Sequence, residues 1–153
     1  MSLSVHRASR FILATPHAIF RAFLDPESLV NWRPPAGMRA EIRGFNARPG
    51  GGYRMVLIYK APDASAGKTA ADRDIVNVRF ADIEPETRIV EMVSFDSRDP
   101  AFAGTMKLTT TLRPVDDGTE VTFCAENVPP GIGEDEHRQG MESSLRNLAN
   151  LLE

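Results

Sequence analysis

Cysteine is almost missing from this chain of 153 residues: Cys124 is the only one, so no internal disulfide can form. A chain of this size needs none, because folding buries about 68–70% of its unfolded surface. Cysteine scarcity fits a reducing, cytoplasmic setting. No apolar run approaches the roughly 18 residues of a membrane-spanning helix, and no basic-then-apolar leader opens the chain. Lysine is scarce too, at three of 18 basic residues, and the arginines are scattered among carboxylates, as in Arg39-Ala-Glu41-Ile-Arg43. With a net charge of −3 and no basic stripe, a nucleic-acid surface is not supported. Internal repeats, domain linkers and heptads are also absent, so one domain spanning residues 1–153 is expected.

What is present is a clear succession of periodicities. Residues 5–13 read as a strand, with Val5, Phe11 and Leu13 on one parity beside Arg7, and Ile12 breaking the alternation. Thr15 fits a helix N-cap and Pro16 the first helical position. Ile19, Phe20, Phe23 and Leu24 then form one apolar face. Asp25-Pro26 stops that helix and starts a second, carrying Leu29, Val30 and Trp32, which Pro34-Pro35 end. From Gly37 the period becomes two. Strands are expected at 38–45, 53–60, 74–83, 88–96, 105–113 and 119–126, with residues 61–72 as an exposed mobile loop. Asp117-Gly118 marks a tight hairpin. In the last segment Met141, Leu145, Leu148, Ala149 and Leu152 make one helical stripe, with Glu134, Asp135 and Glu136 at its positive end.

The expected order is therefore strand, two short helices, six strands and a long helix: an α+β fold. Six strands joined by short connections favour an antiparallel meander. Residues 105–113 show that such a sheet has one wet face, since Met106, Leu108, Thr110 and Leu112 oppose Lys107, Thr109, Thr111 and Arg113. Only the last helix is long enough to lie across the inner face. A curved sheet gripping it leaves a gap that the two short helices can close.

Residues that could carry chemistry are few. His6, His17 and His137 lack metal-ligand spacing, and His17 and His137 read as solvated groups at helix starts. No metal and no cofactor is expected. Cys124 reads as an inert strand thiol. Gly50-Gly51-Gly52 is followed by Tyr53-Arg54 and a strand, not by the lysine and helix of a phosphate loop, so it reads as a turn. Asp72/Asp74 and Glu84/Glu86 read as solvated turn carboxylates. Trp32, Met38, Met55, Met92, Met106 and Met141 are core filler or, being soft and adaptable, the wall of an apolar cavity. Arg54, Tyr59, Asn77, Ser94 and Thr110 are the polar candidates for orienting a ligand.

Several motifs in unbroken order carry a family resemblance. They are Pro16-His-Ala-Ile-Phe-Arg-Ala-Phe with Asp25-Pro26-Glu27 and Trp32; Pro49-Gly-Gly-Gly-Tyr53; Phe80-Ala-Asp-Ile83-Glu-Pro85; Asp99-Pro-Ala-Phe102; Val128-Pro-Pro-Gly-Ile132; and Ser144-Leu-Arg-Asn-Leu. Together they resemble the START-like, Bet v 1-like helix-grip superfamily, in the branch related to the activator of the heat-shock protein 90 ATPase. The resemblance implies a curved antiparallel sheet of about seven strands wrapped around the C-terminal helix. Where relatives carry tryptophan after the glycine of that helix, this chain has Met141, implying a reshaped cavity wall. The leading expectation is a non-enzymatic protein enclosing a small apolar or aromatic molecule. Trp32 is its expected lid-side anchor, and Tyr53, Met55, Leu57 and Tyr59 one strand's wall. Phe80, Met106, Leu108 and Phe123 are the expected floor, and Met141, Leu145 and Leu148 the gripping helix. The alternatives are a module assisting a chaperone ATPase and a polyketide cyclase-like enzyme. No nucleic acid or membrane partner is expected; the chain is read as a monomer or a homodimer.

Overall fold

The computed structural model describes residues 4–60 and 73–153; residues 61–72, expected as a mobile loop, lie outside the described residues. The chain runs β1 (Val5–Ile12), α1 (Pro16–Phe23), α2 (Pro26–Trp32), β2 (Met38–Arg43), β3 (Gly52–Tyr59), β4 (Arg73–Glu84) and β5 (Arg88–Phe95). A single 3-10 turn at Pro100–Phe102 leads to β6 (Met106–Val115), β7 (Gly118–Glu126) and α3 (Glu134–Leu152). The strands form one seven-stranded sheet in the order β1-β7-β6-β5-β4-β3-β2, and every pairing is antiparallel. The sheet curls into a half-barrel that grips α3, the α+β helix-grip fold expected from the order of periodicities.

Local chemistry explains the elements. Thr15 accepts a hydrogen bond from Ala18 N at 3.1 Å and Asp25 from Glu27 N at 3.2 Å, so both short helices have a capped start followed by proline. At the β2–β3 turn Gly50 adopts φ +85°, and a Cβ on Gly52 would collide with the Val78 carbonyl, so the glycines serve backbone approach. The β6–β7 hairpin turns through Asp116, at φ +52°, and Asp117.

One strand has the reverse of its apparent parity. In β1 the buried residues are His6, Ala8 and Ile12, whereas Phe11 is 46% exposed and Leu13, just beyond the strand, is 56% exposed. β1 is an edge strand paired with β7, and α3 packs over its inner face. The small Ala8 and the polar His6 take the inner positions there. His6 Nδ1 lies 2.9 Å from His137 Nδ1 on α3, a hydrogen bond that requires one ring to donate and the other to accept. His137 is thus half-buried and bonded rather than solvated. His17, expected to be solvated, is exposed and within 3.0 Å of Glu86.

Candidate functional site

The curl of the sheet leaves a cavity of about 620 Å³ between the inner faces of β3–β6 and α3. That volume lies within the range of roughly 300–1,000 Å³ usual for small-molecule sites. Alternation sets its wall: on β3 Tyr53, Met55, Leu57 and Tyr59 all point inward, because they share one parity of the pleat. Val76 and Val78 of β4, Val93 of β5 and Met106 and Leu108 of β6 extend that surface. Phe123 of β7 and Met141 of α3 also line it, as does Met38 of β2.

Beside this largely apolar wall sits a polar set, of which Arg33 and Tyr53 line the cavity and Glu91 is buried behind them. Arg33, the first residue after α2, donates from Nη2 to Glu91 Oε1 at 3.1 Å. Tyr53 donates its hydroxyl to Glu91 Oε2 at 3.0 Å. Glu91 is 1% exposed and occupies the inward position of β5 between Ile89 and Val93. The Arg33 guanidinium carbon lies 5.3 Å from the Trp32 ring centre, 5.5 Å from Phe123 and 5.8 Å from Phe23, so three aromatic rings surround the cation. Burial works against the Arg33 charge, but the charge of Glu91 and the hydrogen bond to it outweigh that and raise its pKa. Burial, then the negative charge of Glu91, pushes the Tyr53 hydroxyl far up, so it stays a neutral donor.

A second tyrosine–carboxylate pair lies further along β3. Tyr59 donates to Asp74 Oδ2 at 3.2 Å, and Asp74 is 2% exposed. Partial burial, the charge of Asp74, their hydrogen bond and the charge of Glu136 push Tyr59 up to about 12. Five residues of strand separate the two tyrosines, six steps or roughly 20 Å at the rise of a β-strand. The two hydroxyl–carboxylate pairs therefore lie well apart along β3.

Of the residues expected from sequence, Tyr53, Met55, Leu57, Tyr59, Met106, Leu108, Phe123 and Met141 come together on the cavity wall. Trp32, Phe80, Leu145 and Leu148 do not: each is buried in the core behind it. Trp32 is no lid-side anchor. Its Nε1 donates to Ala22 O at 3.0 Å and its ring packs edge-on to Phe23 at 4.7 Å, which ties α2 to α1. Among the polar candidates only Tyr59 lines the cavity. Arg54 points outward to Asp96, Asn77 is exposed, Ser94 is half-buried, and the buried Thr110 Oγ1 has no partner among the described residues.

Arg33 and Glu91 carried no weight in the sequence reading. Glu91 could have been found, since it breaks an otherwise apolar inward row of β5. Arg33 is held by α3: Ser144 Oγ donates to the Arg33 carbonyl at 2.6 Å, and Asn147 Nδ2 donates to the carbonyls of Trp32 at 3.3 Å and Pro34 at 2.9 Å. Among the described residues no cluster of three or more His, Cys, Asp or Glu is arranged to hold a metal, and no helix is long and apolar enough to cross a membrane.

Known proteins share this architecture. A family model described as activator of Hsp90 ATPase homolog 1-like protein matches residues 13–153. A solved protein from Chromobacterium violaceum superposes with a TM-score of 0.84 at 30% identity, with 97% of each chain covered. One from Rhizobium loti gives 0.71 at 26% identity, covering 99% of this chain and 98% of the other. A protein of the dynemicin biosynthetic locus has the same fold, with a TM-score of 0.67 at 18% identity over 95% of this chain and 46% of that one. No curated protein matches. The family match runs through both short helices, six of the seven strands and the gripping helix, and the chain belongs to the activator of Hsp90 ATPase homolog 1-like family of helix-grip proteins.

Proposed function

We propose that this protein binds a small, mainly apolar or aromatic molecule in the cavity between its sheet and α3. The single observation that carries this reading is the cavity of about 620 Å³ itself, walled by methionine, valine, leucine and aromatic side chains. Four of the lining residues are methionines (Met38, Met55, Met106 and Met141), whose flexible thioethers adapt to a ligand's shape. Affinity would come from apolar burial at roughly 25 cal/mol per Å², less the cost of ordering the ligand. A reaction would need an unoccupied acid or base on the wall. Glu91, buried behind the wall with its two oxygens engaged by Arg33 and Tyr53, does not supply one.

Native mass spectrometry of protein purified from its own host tests the proposal. A co-purifying small molecule that is lost on denaturation is the expected result; a bare polypeptide mass together with failure to bind naphthalene-type probes would refute it. The family description favours a second reading, a module that acts on a heat-shock protein 90 ATPase. A pull-down that recovers no such chaperone, with ATPase rates unchanged by the added protein, would remove that reading and leave the first standing.

A further inference from the structure

We infer that the cavity selects ligands bearing a neutral oxygen acceptor, a ketone- or amide-type carbonyl, and seats that oxygen against the guanidinium of Arg33. The inference deepens the binding reading above and rests on it. It begins with a donor count. Of the polar groups on this part of the wall, Tyr53 spends its only O–H on Glu91 and Ser144 spends its own on the Arg33 carbonyl. Arg33 has five N–H groups and commits one contact, to Glu91. Its Nη1 is enclosed without a hydrogen-bond partner among the described residues and is out of a ligand's reach. Arg33 nevertheless lines the cavity and the rest of its side chain keeps the 15% of accessible surface, so the reachable donors are its other uncommitted N–H groups. A charged donor that lacks an acceptor away from bulk water is costly, and a ligand oxygen at the accessible part of the guanidinium supplies one.

Charge then decides which oxygen. The Arg33 cation is already matched by the Glu91 anion at 3.1 Å. A ligand carboxylate would leave a net negative charge in a low-dielectric site, and the acidic residues on the wall, Asp74, Asp99 and Glu136, would add to its cost. An ammonium would meet the guanidinium. A carbonyl accepts from Arg33 without disturbing the balance, and a hydrogen bond to a charged donor is the stronger kind. The aromatic rings of Phe23, Trp32 and Phe123 around the guanidinium limit its movement, so the donor is held in place before a ligand arrives.

The test is a matched set of probes titrated into the full chain by calorimetry: acetylnaphthalene, its hydrocarbon isostere isopropenylnaphthalene, naphthoate and naphthylmethylammonium. The ketone is expected to bind about tenfold more tightly than the isostere, and both more tightly than either ion. Heteronuclear NMR should show the Arg33 Nε–H resonance moving with the ketone and not with the alkene. The double variant Arg33→Met with Glu91→Met, which removes both charges together, should abolish the preference. Equal affinity for ketone and alkene, tightest binding of either ion, or a preference that survives in the double variant overturns the inference while leaving the cavity as a binding site. Failure of all four probes to bind overturns the binding reading as well.

Discussion

At the scale of single residues, Arg33 and Glu91 form a buried ion pair at 3.1 Å beside the cavity. Removing one partner strands a buried charge. Glu91→Met is expected to cost about 3–5 kcal/mol in urea unfolding, whereas Arg33→Met combined with Glu91→Met should be close to neutral or stabilising. Equal losses in the single and the double variant would show that the pair is not coupled. Tyr59 gives a prediction in pH. Its hydroxyl is raised from 10.0 to about 12 in the folded chain, so the native state holds a proton that the unfolded chain releases earlier. The associated stability is complete below about pH 10 and is lost as pH rises through the folded value. Unfolding midpoints measured at pH 9 and pH 11 should therefore fall further for the wild type than for Tyr59→Phe. Sequence made the apolar wall legible because strand parity points Tyr53, Met55, Leu57 and Tyr59 to one side. It did not reveal the ion pair, whose partners stand 58 residues apart in the chain and meet only when α2 is laid against the sheet.

Among the elements, those with local determinants were the easiest to read. Thr15-Pro16 and Asp25-Pro26 start their helices through caps, and Asp116–Gly118 closes its hairpin through turn chemistry, all within a few residues of sequence. β1 was harder, because its face is chosen by α3 lying over it rather than by its own pattern. Phe11 and Leu13 look like core residues and are exposed, while His6 is buried against α3 by its bond to His137. The role of Trp32 was equally hidden. Alone in its type and near two prolines it reads as a gate, yet its indole is spent on Ala22 O and its ring on Phe23, so it roots α2 in the core. The exit of α2 is then fastened by α3, where Ser143 accepts from Ala36 N at 2.8 Å and Ser144 and Asn147 bond the carbonyls of residues 32–34. Asn147→Ala would leave two of those carbonyls without this donor. A loss of about 1–2 kcal/mol is expected in unfolding, with a shifted Arg33 Nε–H resonance as the sign that the guanidinium has moved. An unshifted resonance would mean that the rings and Glu91 alone hold Arg33.

For the whole molecule, the cavity lies between the two halves of the grip, so whatever fills it ties the sheet to α3. A ligand that binds only the folded chain stabilises it by about 2.7 kcal/mol at a hundred times its Kd. For a chain of this size that corresponds to a rise in Tm of about 5–10 °C. The gain should depend on Met141, which α3 presents to the cavity from the side opposite the sheet and which is 6% exposed. Met141→Trp would add ring volume at a wall that already borders empty space. The folded chain should therefore tolerate it with little change in the Tm measured without ligand, because the extra atoms enter the cavity rather than the packed core. The same ring occupies ligand volume, so the rise in Tm with acetylnaphthalene should shrink or vanish in this variant. Calorimetric scans of both proteins, with and without the probe, check this. A full rise retained in Met141→Trp would place the probe outside the cavity, on the exposed apolar positions of β1 or elsewhere on the surface.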